Sequence, residues 1–129
     1  MAGSYLLDTN VVVPFLNGES AVEERMRRAE EVAVASIVLG ELFYGARNSI
    51  RAEANLIRVE AFAAAITVIN CDAETGRTYG VIRHQLQRKG RPIPENDIWI
   101  AAIARQWNLM LITRDSDCTY VDSLVVERW

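Results

Sequence analysis

Short apolar runs alternate along this chain with longer stretches of mixed character. Ser4-Tyr5-Leu6-Leu7 stops at Asp8, and residues 32–36, 66–70 and 109–113 form further short runs rich in branched side chains. Leu124-Val125-Val126 is a candidate fifth. Runs of this length with little polar alternation suit parallel strands covered on both faces. The stretches between them predict helices. Residues 20–31 are charged and amphipathic, with Ser20 as the cap and Glu23 three residues later. Residues 37–47 and 52–65 form a helical pair, and residues 73–89 a longer helix with Asp72 as its cap and Gly90 as its stop. Residues 98–107 are apolar nearly all round, which marks a buried helix.

Strands alternating with helices imply right-handed βαβ units, and so a three-layer α/β/α domain around a mostly parallel sheet of four to five strands. No repeat, low-complexity tract or Gly/Ser linker divides the 129 residues, so one domain over 1–129 is expected. In open sheets of this kind ligands sit beyond the carboxyl ends of the strands, where the strand order reverses. The residues at those ends therefore matter most.

Four of them are acids. Asp8 follows the first strand and Asp115 the fourth. Glu41 lies in the first turns of the helix after the second strand, and Asp97 at the start of the buried helix that leads into the fourth. Helix starts and strand ends share one edge of a parallel sheet, so all four can converge. Each has a plain structural alternative: Asp8, Thr9 and Asn10 are good helix caps, a carboxylate at Asp97 suits a helix N-terminus, and Asp115 suits a turn. Glu41 is harder to explain so, because its neighbours at three and four positions are Ile37, Val38, Tyr44 and Gly45, a face built for packing. A carboxylate there needs a partner. Converging carboxylates repel one another unless a cation holds them ionised. Hard oxygen ligands suit magnesium or manganese rather than zinc, and a lone His84 with two distant cysteines offers no zinc site. Magnesium on carboxylates activates water and offsets charge on a phosphodiester.

Composition changes this picture only slightly. The formal net charge is −3, which argues at first against a nucleic-acid partner; acids concentrated in one metal-neutralised pocket reconcile the two. Lys89 is the only lysine among fourteen basic residues, and arginine grips phosphate by bidentate hydrogen bonds. Cys71 and Cys118 suggest no disulfide framework. Neither a targeting segment nor a membrane-spanning run is expected, and a reduced cytoplasmic setting follows.

Together, Leu6-Leu7-Asp8-Thr9-Asn10, Ser36 through Glu41-Leu42, Asp97-Ile98-Trp99-Ile100-Ala101-Ala102 and Leu111-Ile112-Thr113-Arg114-Asp115-Ser116-Asp117 resemble the PIN-domain family, above all the VapC-type toxins of toxin–antitoxin pairs. The resemblance covers essentially the whole chain. It implies that Asp8 and Asp97 are the principal magnesium ligands, with Glu41 and Asp115 completing the acids around a metal or the attacking water. It also implies Asp115 as a third metal ligand, with Asp117 competing with it for the fourth role. Thr9, Asn10 and Thr113 match the small polar positions that support those acids. Relatives often carry an aromatic residue after the last acid, where this chain has Cys118-Thr119-Tyr120.

The activity so implied is a magnesium-dependent endoribonuclease, with manganese as a substitute, cutting a structured RNA such as transfer or ribosomal RNA. The implied partners are a cognate antitoxin and a second copy of the chain in a homodimer. Arg47 and Arg114 are the substrate-binding candidates nearest the acids; Arg83, Arg88, Lys89 and Arg91 form a basic stretch that fits either RNA or solvent. Trp99 and Trp107 are expected in the core or a dimer interface. Two rivals remain: a catalytically silent PIN binding module, against which the four intact acids argue, and a phospho-receiver-like domain, for which the only lysine is misplaced.

Overall fold

A computed structural model describes residues 3–129. In chain order the elements are β1 (Ser4–Leu7), α1 (Thr9–Leu16), α2 (Ser20–Arg28), β2 (Glu31–Ala35), α3 (Ser36–Arg47), α4 (Ala52–Ala65), β3 (Thr67–Ile69), α5 (Ala73–Arg88), α6 (Glu95–Gln106), β4 (Met110–Ile112), a 3-10 turn (Asp117–Tyr120) and β5 (Val126–Glu127). All strand pairings are parallel, in the order β3-β2-β1-β4-β5, and helices flank the sheet in a three-layer α/β/α fold. The strand order reverses between β1 and β4, so the edge beyond Leu7 and Ile112 is the topological switch point.

The apolar runs explain why the sheet lies in the middle. Leu6, Leu7, Ala33, Val34, Ala35, Leu111 and Ile112 are at most 1% exposed, as two-sided coverage demands. Ile98, Ile100, Ala101, Ala102, Ile103 and Ala104 of α6 are likewise buried. Each fully buried Leu or Ile contributes roughly 2 kcal/mol. The small alanines let α6 approach its neighbours closely. Among the described residues no helix is long and apolar enough to cross a membrane.

Helix ends follow local chemistry, with some departures from the sequence reading. Asp72 and Thr75 form a reciprocal capping box at the start of α5. Gly90 ends that helix at φ 68°, where a Cβ would meet no neighbouring atom but would strain the backbone. Gly90→Ala is therefore expected to cost about 1 kcal/mol, seen as a lower urea midpoint with an unchanged slope. Ser20 is not the cap of α2. Glu19 takes that position without a side-chain cap bond, and its carboxylate pairs with Arg114 instead. α2 stops at Arg28, because Glu31 already belongs to β2. α6 begins three residues earlier than its apolar pattern suggests, which places Asp97 in its first turn.

Candidate active site

Asp8 leaves β1 with its backbone N–H bonded to the Ile112 carbonyl at 2.9 Å, which fixes it beside the end of β4. Its side chain is 7% exposed and both oxygens are used. Oδ1 accepts from the Thr9 backbone N–H at 2.8 Å, and Oδ2 from the Thr113 hydroxyl at 2.8 Å. The cap and the site network thus share one carboxylate.

Thr113 is the junction of that network. Besides donating to Asp8, its hydroxyl oxygen accepts from Asn10 Nδ2 at 3.1 Å and from the Asp115 backbone N–H at 3.1 Å. Asn10 Oδ1 accepts from the Arg114 backbone N–H at 2.9 Å. Thr9 serves the other side of the site, donating its hydroxyl to Glu41 Oε1 at 2.8 Å across 32 residues of sequence. Thr9 and Thr113 therefore bond an acid directly, and Asn10 reaches one only through Thr113.

The carboxylates of Asp97, Asp115 and Asp117 come together, each offering an oxygen within 4.8 Å of the others. Asp115 Oδ1 accepts the Asp117 backbone N–H at 3.0 Å, so the loop after β4 folds both acids toward α6. Asp8 and Glu41 stand around this trio rather than within it, yet their charge reaches Asp97. Its carboxyl is pushed up to about 6, first by burial and then by Asp8, Asp115, Asp117 and Glu41. Asp117 is also raised, by desolvation and by Asp115. Cys118, 3% exposed within that loop, has its thiol pushed up to about 12 by burial and then by Asp97, Asp8, Asp115 and Asp117, which makes it a neutral packing group. No protein cation among the described ion pairs belongs to any of the five acids. An uncompensated set of hard oxygen donors, one of them raised by burial and by its neighbours' charge, fits a divalent cation of the magnesium type.

The arginines divide. Arg114 Nε donates to the Trp129 carbonyl at 2.9 Å and its guanidinium pairs with Glu19, so it ties the C-terminus and α2 to the loop after β4. Arg47 is exposed at the end of α3 and forms no ion pair among the described residues. Arg27 and Arg28 pair with Glu23 and Glu24 along α2, as their spacing predicts. Arg83 pairs with Glu95 at 3.3 Å, beside Tyr79, which stacks on Trp99 at 4.0 Å between centroids. Trp107 is 55% exposed and so lies outside the core.

One feature escaped the sequence reading. A groove of about 320 Å³ opens beside Glu41 and Thr9, walled by Val13 and Leu16 on one side and by Asn55 and Arg58 on the other. It depends on how the α3–α4 hairpin leans on α1. No periodicity within α4 separates Arg58 from any other exposed arginine.

A family model described as PIN domain matches residues 5–124. The tRNA(fMet)-specific endonuclease VapC of Shigella flexneri is 34% identical over 97% of both chains, and the Ribonuclease VapC2 of Haemophilus influenzae is 32% identical over 97% of both. Among solved structures, VapBC2 from Rickettsia felis bound to a promoter DNA fragment has a chain that superposes with a TM-score of 0.90 at 30% identity, over 97% of this chain and 98% of that one. A chain of DNA-bound VapBC from Salmonella typhimurium gives 0.89 at 30% identity over 98% of each.

Proposed function

The chain belongs to the PIN-domain family, and from that premise we propose that it is a metal-dependent endoribonuclease, the toxin of a VapBC-type pair. The observation that carries this reading is the convergence of Asp97, Asp115 and Asp117, with Asp8 and Glu41 around them, at the switch point of the sheet. Relatives named as ribonucleases support RNA as the substrate, and those named for tRNA(fMet) make transfer RNA the first to test.

In this reading Asp97, Asp115 and Asp117 hold magnesium, or manganese in its place, with Asp8 at the rim of the ligand set. A bound ion of this kind supplies an acidified water and neutralises charge on the phosphodiester. The chain's own residues do the positioning. Thr113 and the Thr9 backbone fix Asp8, while the Thr9 hydroxyl fixes Glu41. Glu41 is placed to accept a proton from the attacking water, with Arg47 and Arg114 as the candidates to meet phosphate and Arg58 on the wall of the groove beside Glu41. A cognate antitoxin is the proposed partner, supported by solved relatives that are VapBC assemblies. An acidic pocket is suited to inhibition by a basic side chain.

The receiver-like alternative loses its chemistry here, because Lys89 is committed to Asp122 and the Tyr120 carbonyl. The direct test incubates purified protein with a transfer-RNA pool, with magnesium and with excess chelator. Discrete cleavage products that appear only with the metal are expected. Cleavage undiminished by chelator would remove the metal from the mechanism, and intact RNA under every condition would favour the silent binding module.

A further inference from the structure

Two basic residues of the stretch between α5 and α6 are occupied within the molecule. Lys89 Nζ donates to the Tyr120 carbonyl at 3.0 Å and pairs with the Asp122 carboxylate. The Arg91 guanidinium carbon lies 4.4 Å from the centroid of the Tyr120 ring, in cation–π geometry. Arg91 is itself anchored, its backbone N–H donating to the Leu86 carbonyl at 2.9 Å. Tyr120 closes the 3-10 turn that Asp117 opens, and Asp115 stands two residues before that turn. Residues 91–94 run directly into α6, which carries Asp97 in its first turn.

The close acid trio is thus split between two segments: α6 supplies Asp97, and the loop after β4 supplies Asp115 and Asp117. Their carboxylates repel across a gap within 4.8 Å, and Asp115 is exposed. Thr113 braces the start of that loop, and the buried Cys118 and Val121 side chains hold its middle and far end from within. Lys89 and Arg91 grip its far end from the connection that leads into α6.

We infer that Lys89 and Arg91 are positioning residues, clamping the loop that bears Asp115 and Asp117 against the start of α6 and so setting the affinity of the site for its metal. The clamp rests on the metal-site reading proposed above. Outer partners of metal ligands are worth about 10- to 100-fold in affinity, and a clamp one step further out belongs at the lower end of that range.

Calorimetric titration of the full chain with manganese tests this, on the unmodified protein and on Lys89→Met, Lys89→Arg, Arg91→Leu and Asp97→Asn. Lys89→Met and Arg91→Leu are each expected to bind manganese about tenfold more weakly, with urea midpoints close to the parent's. Lys89→Arg keeps a donor for the carbonyl and the carboxylate, so it should recover most of the affinity, which a general loss of packing would not allow. Parent-like affinity in Lys89→Met and Arg91→Leu, alongside lost binding in Asp97→Asn, would overturn the clamp while leaving the metal site standing. Parent-like manganese binding with a raised KM for RNA would overturn it too and make these residues substrate contacts. Failure of the unmodified chain to bind manganese would defeat the metal-site reading, and the clamp with it.

Discussion

Asp97→Asn is expected to lower cleavage at least about a hundredfold, because it removes a direct metal ligand, where even outer partners cost about 10- to 100-fold. In metal-free protein at neutral pH the same change should raise stability. Asp97 titrates near 6 in the folded chain against an ordinary 3.8, chiefly through burial and then through Asp8. Between about pH 4 and 6 the folded state therefore holds a proton that the unfolded chain has released. Metal-free stability then falls as pH rises through that window, and at pH 7 the ionised carboxylate is a standing penalty. Asparagine carries no charge and no such window. Allowing for solvent screening of a half-buried group, the gain is about 1 kcal/mol, or about 3–5 °C in Tm. Magnesium reverses the order, since a ligand that binds only the folded state stabilises the parent and not the variant. Thermal melts at pH 5 and pH 7, with chelator and with magnesium, give the comparison. A variant less stable than the parent in chelator at pH 7 would mean that Asp97 serves the fold.

That antagonism between site and stability was partly visible in the sequence. The acids at strand ends were legible because the strands are short, apolar and buried on both faces, so Asp8 and Asp115 mark where each run stops. Asp97 was legible because a carboxylate at the mouth of an otherwise apolar helix needs a reason. What stayed hidden depends on contacts between distant segments. Residues 11–16 carry Val11-Val12-Val13-Pro14, a pattern hostile to a helix, yet α1 forms there because Val11 and Val12 are fully buried and tertiary packing overrides propensity. The last strand sits at Val126–Glu127, two residues beyond the start of its apolar run, since pairing with Leu111 and Ile112 sets its register. That Arg114 pairs with Glu19 could not be read from its position beside Asp115. The sequence also could not show that Lys89, 31 residues from Tyr120, holds the loop that follows β4.

Thr113→Val should act in the opposite sense from Asp97→Asn on stability and in the same sense on activity. Valine nearly matches threonine in shape and suits a strand end, so packing changes little at a residue 2% exposed. What disappears is a hydroxyl that donates to Asp8 and accepts from Asn10 and from the Asp115 backbone. Asp8 Oδ2 is left without that donor in a buried setting, and the Asp115 N–H without that acceptor. Leaving such groups unpaired costs about 2 kcal/mol, more than the bonds themselves contribute. With Asp8 free to turn and Asp115 no longer braced, cleavage should fall by about 10- to 100-fold. Thr113→Ser keeps the hydroxyl and should restore most of both properties. Urea unfolding in chelator, paired with RNA cleavage in magnesium, reads the two effects separately. Parent-like stability in Thr113→Val would show that water replaces the hydroxyl and that the network does not organise the site. Loss of stability with activity retained would place Asp8 in the scaffold and leave the chemistry to Asp97, Asp115 and Asp117. The two variants together therefore separate an acid that the fold tolerates for its chemistry from the hydroxyl that holds the acids in register.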